Sequence, residues 1–213
     1  TIQFGKNFKL ATQQTQARFE KCATVETGCT GEAKTHNLIT AIDDNEVTGE
    51  RFGKTVLRYM VSLKPALEQR GFEVAVFHAT GMGGRAFESL AAEGAFAAVL
   101  DFAPQEVGNH LFGSALSAGA DRMTNAGAKG IPQMISIGCY DLIDFVGWHP
   151  LPAQFKDTPT HAHNRLLTSV VQTADQRRET ARTLCAKLAA AHGPVTFLLP
   201  THGGNEWDRA GEI

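Results

Sequence analysis

The sequence predicts an α/β fold, a Rossmann-like three-layer α/β/α sandwich with a mainly parallel sheet. From residue 71 onward, short apolar runs alternate with helical stretches, which is the pattern of βαβ units. A glycine-rich turn directly follows the first of these runs, as expected where a parallel strand passes into a helix. With 213 residues, the chain is long enough for one such domain and an irregular extension.

Short apolar runs predict the strands of the sheet. These runs alternate with helical stretches of about ten to twenty residues, as in a parallel sheet built of βαβ units. The predicted strands are 72–78, 97–102, 132–138 and 195–200. Residues 1–50 are predicted to form an irregular N-terminal segment in which only 37–42 reads as a strand, and the α/β domain is predicted over 51–213.

Helices are predicted between the strands. Residues 85–94 and 179–194 carry apolar side chains at helical spacing and end on glycine or Gly-Pro. A further helix is predicted over 105–117. Residues 52–71 also have helical spacing, and Pro65 is expected to kink that helix or to mark a break in it.

Charge and cysteine content exclude several classes of protein. The net charge is −2 and no run of five like charges occurs, so neither nucleic acid nor an anionic membrane is an expected partner. No segment approaches the ~20 continuous apolar residues of a membrane span. The four cysteines include no close CxxC pair, which indicates a reducing, cytoplasmic setting.

The turn that contains Gly81, Gly83 and Gly84 is the strongest candidate site. Glycines after a parallel strand let backbone N–H groups approach an anion, and the following helix adds its positive N-terminal end. Thr80 and Arg85 flank the turn and can add a hydroxyl group and a positive charge. A side chain at Gly83 is expected to fill the space that the anion needs. The alternative is a tight turn that needs positive φ, because this spacing is not the full dinucleotide fingerprint.

Acidic residues follow the predicted strands at the same edge of the sheet. Asp101 lies at the end of strand 97–102 and Glu106 follows a few residues later, where they can bind a ribose hydroxyl or Mg²⁺. For Glu106 the alternative is a carboxylate that stabilises the dipole of helix 105–117. Asp141 lies in the segment 136–150, which is predicted to be a loop that closes over a ligand.

Two other groups of residues have simpler interpretations. Cys139 is predicted to be a small buried side chain, because no partner histidine can be assigned to it. His163 and Asn164, with His161, form a cluster that is predicted to be a polar loop or a loop that contacts phosphate. Metal binding there is the weaker alternative, since no third ligand occurs at diagnostic spacing, and no metal site is predicted.

Five strings, in order, resemble the ATP-binding family named for the tomato mosaic virus resistance protein. They are "VFHATGMGGRAFESL", "VLDFAPQEVGNHLFGSALSAGADRM", "GIPQMISIGCYDLIDF", "HNRLLTSVVQT" and "LLPTHGGNEWD". The match resembles the second of two α/β domains in the family's nucleotide-binding region. The resemblance implies that the family's motif residues are His78, Thr80, Gly81, Gly83, Gly84, Arg85, Asp101, Glu106, Asp121, Arg122, Asp141, His163, Asn164 and Asp208.

The sequence therefore predicts a domain that binds a nucleotide or another phosphorylated small molecule. ATP is the ligand that the resemblance implies, and Mg²⁺ is expected only with a triphosphate. Two alternatives remain: a hydrolase or transferase that acts on a phosphorylated small molecule, and a structural domain without a ligand. Because the resemblance covers one of two domains, the chain is expected to form a homo-oligomer or to dock on a further domain, with Trp148 at that surface.

Overall fold

A computed structural model describes residues 37–42, 54–162 and 165–200 of the chain. The strands are β1 (Asn37–Ile42), β2 (Glu73–His78), β3 (Ala98–Asp101), β4 (Gln133–Ile135), β5 (Leu142–Val146), β6 (Thr160–Ala162), β7 (Leu167–Val171) and β8 (Val195–Phe197). The helices are α1 (Lys54–Glu68), α2 (Met82–Glu93), α3 (Gln105–Leu111), α4 (Asn125–Ala128) and α5 (Ala174–Ala189), with a 3₁₀ turn at Ala153–Phe155. Within these ranges strands and helices alternate from β1 to α3, and further on α4, β4 and β5, the pair β6 and β7, α5 and β8 follow.

The main sheet has five parallel strands in the order β2-β1-β3-β4-β8. All four strands predicted from residue 71 onward are confirmed, with somewhat shorter bounds. The run at 37–42 also forms a strand, and it pairs with β2 on one side and β3 on the other. The α/β class is therefore confirmed, whereas the three-layer sandwich stays a prediction.

A second, antiparallel sheet in the order β5-β7-β6 was not predicted. The prediction that 136–150 is entirely a loop is wrong, because Leu142–Val146 forms β5. Asp144 interrupts the apolar run there, so the sequence pattern did not indicate a strand. In the fold Asp144 is buried, and its carboxylate accepts a hydrogen bond from Ser169 Oγ in β7 at 2.6 Å.

The four predicted helices are present, but their bounds differ from the prediction: those predicted over 85–94 and 179–194 form α2 and α5, with the bounds given above. Pro65 lies inside α1, which continues past it to Glu68. The helix predicted over 105–117 ends at Leu111, because Gly113 takes the left-handed conformation with φ 78° and turns the chain away. No helix in the described ranges is long and apolar enough to cross a bilayer.

The alternation of side chains along β3 places a helix on each face of the main sheet. Ala98 and Leu100 point to one face, where they pack in a cluster with Leu63 of α1. Val99 points to the other face and packs in a cluster with Phe87 of α2. This arrangement brings the start of α2 to the carboxyl-terminal edge of the sheet.

Helix α3 connects the two sheets through Asn109, which is fully buried. The Asn109 side chain accepts a hydrogen bond from the backbone N–H of Asp144 at 2.8 Å. Its amide nitrogen donates to the carbonyl of Leu116 at 3.2 Å. One side chain thus satisfies backbone groups from β5 and from the segment after α3.

We expect Asn109→Ala to lower the free energy of unfolding by about 1–3 kcal/mol, because the buried N–H of Asp144 loses its acceptor. Urea unfolding followed by circular dichroism measures the change. The matched control is His110→Ala, at the exposed neighbouring position of the same helix, which should lose less. An Asn109→Ala variant as stable as the parent chain would contradict this account of how the sheets are joined.

Candidate functional site

The glycine-rich turn joins β2 to α2 at the carboxyl-terminal edge of the main sheet. Gly81 precedes the helix with φ 94°, a conformation that favours glycine, as the alternative of a tight turn with positive φ expects. The N-cap residue of helix α2 is Gly81, which has no side chain to cap the first N–H groups. His78 ends β2, and its Nδ1 lies 3.3 Å from the hydroxyl of Thr80. The turn thus presents a hydroxyl group beside an uncapped helix start.

A carboxylate of the chain itself, that of Glu106, lies inside this turn. The N–H of Gly81 donates to Glu106 Oε1 at 2.5 Å. A Cβ atom at Gly84 would overlap the same carboxylate, so only glycine allows α2 to approach it. Glu106 is 0% exposed. At least one N–H group of the turn therefore already binds an anionic group.

Gly83 is required by the packing of α2 on β2. A Cβ atom there would overlap the carbonyl oxygen of His78. The space beside Gly83 is thus occupied by backbone, and the expectation that a side chain there would fill only the space of an anion is wrong. A substitution of Gly83 would disturb the fold together with any ligand.

A fully buried arginine, Arg122, binds three carboxylates beneath the turn. Its Nε donates to Glu106 Oε2 at 2.6 Å, and its Nη1 forms an ion pair with Asp101. Glu88 Oε1 lies 3.6 Å from the same Nη1. The guanidinium carbon is 5.4 Å from the centre of the Phe87 ring. We refer to Arg122, Glu88, Asp101 and Glu106 as the Arg122 cluster.

Burial and excess negative charge set the protonation of this cluster. Burial raises the pKa of Glu106 and of Glu88 above the usual range of a carboxyl group, although the guanidinium opposes that shift. Burial alone would lower the pKa of Arg122, but the surrounding carboxylates outweigh it and keep the guanidinium charged. A single cation thus faces three carboxylates, which favours a proton on a glutamate.

The other predicted site residues differ in burial and in their place in the fold. Arg85 is exposed in the first turn of α2, and Asp101 ends β3 within the Arg122 cluster. Asp141 is partly buried immediately before β5, where its carbonyl accepts from the N–H of Gln172 at 2.8 Å. Asp121 is exposed. His163, Asn164 and Asp208 lie outside the described residues.

Glu88 is the residue of the cluster that sequence reasoning missed. It lies on the buried face of α2 with Gly84, Phe87 and Ala91. A glutamate in that apolar stripe was the available signal, since an ionised side chain is almost never fully buried without a partner. Arg122 was identified only through the family resemblance, because nothing in its local sequence marks it as buried.

A small cleft lies beside the turn, between the main sheet and the antiparallel sheet. The centre of a water molecule can reach about 10 Å³ of it. Buried Gln105 donates from Nε2 to the carbonyl of Ala79 at 3.2 Å, while its Oε1 has no hydrogen-bond partner among the described residues. Cys139 is buried, as predicted. The cleft is lined by Thr80, Gln105 and Cys139 on one side and by Leu142, Asp144, Leu167 and Ser169 on the other.

Within the described part of the chain, no group of three or more His, Cys, Asp or Glu side chains is placed to hold a metal ion. The carboxylates that sequence analysis offered as Mg²⁺ ligands, Asp101 and Glu106, face Arg122 instead. The guanidinium supplies the positive charge that a metal would otherwise bring to these two groups.

We expect Arg122→Met to lower the free energy of unfolding near neutral pH by about 3–5 kcal/mol, because buried carboxylates lose their counter-ion. Urea unfolding measures the change. The matched control is Arg178→Met, which removes an exposed arginine paired with Asp175. Its free energy of unfolding should be lower than that of the parent by about 0–1 kcal/mol. Equal losses in the two variants would show that the buried cluster has no special role.

The raised pKa of Glu106 predicts a pH dependence with a definite sign. The carboxyl group of Glu106 binds its proton more tightly in the folded chain than in the unfolded chain. The stability that Glu106 contributes in this way is complete below the usual pKa of 4.5 and is lost as pH rises through the pKa of the folded chain. The stability of the parent relative to Glu106→Gln should therefore fall as pH rises from about 4. Urea unfolding of the parent and of Glu106→Gln at several pH values from about 4 upward measures this difference in stability. A difference that increases with pH would show that the pKa of Glu106 is not raised.

Comparison with known proteins agrees with the predicted resemblance. The model described as the C-terminal domain of the uncharacterised protein family UPF0261 matches residues 46–213. A UPF0261 protein of Brucella melitensis is 54% identical over 160 residues, which cover 75% of this chain and 38% of that protein. A UPF0261 protein of Clostridium tetani is 35% identical over 150 residues, which cover 70% of this chain and 37% of that protein.

A plant protein is also similar to the chain. The tomato mosaic virus (ToMV) resistance protein Tm-1(GCR237) of Solanum lycopersicum is 29% identical over 175 residues, which cover 79% of this chain and 23% of that protein. The chain thus spans 38% or less of the length of these three relatives. The family model covers most of the chain. The chain therefore belongs to the uncharacterised protein family UPF0261, and the part of the family that it matches is the C-terminal domain.

Proposed function

We propose that the chain is a ligand-binding domain that takes a nucleotide or another phosphorylated small molecule at the carboxyl-terminal edge of its parallel sheet. We also infer that this sheet and its covering helices form a Rossmann-like three-layer sandwich. ATP is one candidate ligand, and Mg²⁺ would accompany only a triphosphate. The observation that carries the proposal is the strand order of the main sheet.

The strand order changes direction between β1 and β3. The chain passes from β1 to its neighbour β2, then crosses back over β1 to build β3, β4 and β8 on the other side. In open parallel sheets, ligands bind in the crevice outside the carboxyl ends of the strands at such a change of direction. A ligand there would meet the turn after β2 on one side and the start of α3 on the other.

The start of α2 favours an anionic ligand in that crevice. Its N-cap residue, Gly81, provides no side-chain cap, and the helix dipole adds partial positive charge. Glu106 takes the N–H of Gly81, so the groups that follow Gly81 are the ones that a phosphate would use. Arg85 is exposed in the first helical turn and adds a full positive charge beside them.

A structural domain without a ligand is the second candidate, and one observation favours it. The glycines already have a role in the fold, since Gly81 binds Glu106, and Gly83 and Gly84 allow close packing. Only the first candidate predicts that the chain binds phosphate. A hydrolase or transferase is less favoured, because Asp101 and Glu106 are buried against Arg122, whereas a catalytic base must reach its substrate.

We also propose that the chain associates with a second copy or with a further domain through the surface around Trp148. That side chain is 63% exposed, unlike a typical core tryptophan. Leu166 is exposed as well, and its carbonyl accepts from the N–H of Gly147, so the two side chains lie on neighbouring segments. Exposed aromatic side chains of this kind are frequent anchors of protein interfaces.

Calorimetric titration of inorganic phosphate, AMP and ATP, the last with and without Mg²⁺, tests the proposed ligand. We expect Arg85→Gln to weaken phosphate binding about two- to fivefold, because an exposed positive charge beside the anion is removed. Added salt should reduce this difference, since exposed charges are screened.

The matched control is Arg70→Gln. Arg70 is an exposed arginine just after α1, at the opposite edge of the sheet, and its removal should leave phosphate affinity unchanged. A parent chain that binds none of these ligands would contradict the proposal and leave the structural role.

A further inference from the structure

We propose that the Arg122 cluster takes up a proton when a phosphate group binds at the start of α2, so that the affinity for the ligand rises as the pH falls. This inference rests on the proposed phosphate position and adds a regulation of that site. Three features carry it: the excess of carboxylates in the cluster, the short path from Glu106 to the helix start, and a carboxylate oxygen without a hydrogen-bond donor.

The cluster contains more buried negative charge than its guanidinium can neutralise. Three carboxylates form ion pairs with Arg122, and the four side chains are at most 5% exposed. If every carboxyl group were ionised, two negative charges would remain uncompensated in the interior. Such a charge is strongly unfavourable, so a proton bound anywhere in the cluster reduces the imbalance. The raised pKa values of Glu88 and Glu106, which are caused mainly by burial, have the same direction.

The titratable groups on the surrounding elements do not supply the missing positive charge. Lys187 of α5 lies near the cluster, and its Nζ donates to the carbonyl of Ala120. Arg85 of α2 is exposed, and His78 ends β2 beside the turn. Among the described residues, Arg122 is therefore the only cation that forms ion pairs with these carboxylates.

Asp101 has an oxygen that can bind a proton without the loss of a hydrogen bond. Its Oδ2 forms the ion pair with Arg122, whereas its Oδ1 is buried and has no hydrogen-bond partner among the described residues. Both oxygens of Glu106 already accept hydrogen bonds, one from Gly81 and one from Arg122. Because these groups interact closely, the proton belongs to the cluster as a whole and not to one residue.

Glu106 brings the negative charge of the cluster close to the proposed phosphate. Its Oε1 accepts from the N–H of Gly81 at 2.5 Å, and the phosphate would use the N–H groups that follow Gly81. Only a short stretch of backbone then separates the two anions. Glu106 is 0% exposed, so water screens their repulsion poorly. A bound phosphate therefore raises the proton affinity of the cluster, because a proton relieves that repulsion.

The same coupling fixes the sign of the pH dependence. An anion that raises the proton affinity of the cluster is itself bound more tightly by the protonated cluster. The affinity should be highest at low pH and should fall as the pH rises, by at most about tenfold per pH unit for one proton. Phosphate groups themselves titrate at about pH 6, whereas sulfate remains a dianion. Sulfate is therefore the probe that reports only the proton of the protein.

Calorimetric titration of sulfate into the parent chain tests the proton uptake. At each pH from about 5.5 to 8, the titration is repeated in two buffers of different ionisation enthalpy, which gives the number of protons bound with each sulfate. We expect an uptake of up to about one proton and an affinity that falls as the pH rises. In Glu106→Gln, which removes one carboxylate of the cluster, the uptake should fall to less than about half that of the parent.

Two control variants separate the cluster from other titratable groups. Glu93→Gln makes the same change as Glu106→Gln at an exposed position, the last residue of α2, and should preserve the proton uptake. His78→Gln removes the histidine beside the turn, whose Nδ1 lies 3.3 Å from the hydroxyl of Thr80, and should preserve it as well. Asp101→Asn removes a second carboxylate of the cluster and should lower the uptake as Glu106→Gln does.

The outcomes separate this inference from the proposed function. Sulfate binding without proton uptake overturns the inference and leaves the proposed phosphate site in place. Absence of sulfate binding also overturns it, and the titration of inorganic phosphate then decides about the proposed function. An uptake that is unchanged in folded Glu106→Gln, or that is lost in His78→Gln, assigns the proton to another group and overturns the inference. The measurement on the parent needs no variant, and Asp101→Asn replaces Glu106→Gln if the latter does not fold.

Discussion

The buried guanidinium of Arg122 holds the carboxyl-terminal edge of the main sheet together. It binds Glu106 at the start of α3, Asp101 at the end of β3 and Glu88 on the buried face of α2. An unpaired charge in the interior is strongly unfavourable, so the chain must bring these partners to Arg122. Packing of the two helices against the strand is thereby coupled to one set of ion pairs.

The glycine turn depends on the same interaction. One carboxylate oxygen of Glu106 accepts a hydrogen bond from Nε of Arg122, and the other accepts one from the N–H of Gly81. The turn is thus held in a fixed conformation from inside the fold, and its outer face, at the start of α2, is left for a ligand. Excess carboxylate beneath that face opposes a phosphate, and the guanidinium of Arg122 offsets part of that negative charge.

Helix α3 extends the coupling to the antiparallel sheet. Gln105 at its first position binds the carbonyl of Ala79 next to the turn, and Asn109 one turn later binds the backbone of Asp144 in β5. Gln105 also lines one side of the cleft between the sheets. The candidate phosphate position and the cleft are therefore both arranged around one short helix.

The sequence by itself determined the α/β class, the strands of the main sheet and the glycine turn, because these follow from local apolar runs and from residues that break them. The tertiary structure alone decided the role of Glu106, since its local sequence was equally consistent with a ligand contact and with a helix dipole. Arg122, the partner of Glu106, is 16 residues away in sequence. Asn109, whose hydrogen bonds help the chain to bury Asp144 in β5, is 35 residues from Asp144. Buried polar side chains are stable only with partners, and the fold selects those partners across the chain.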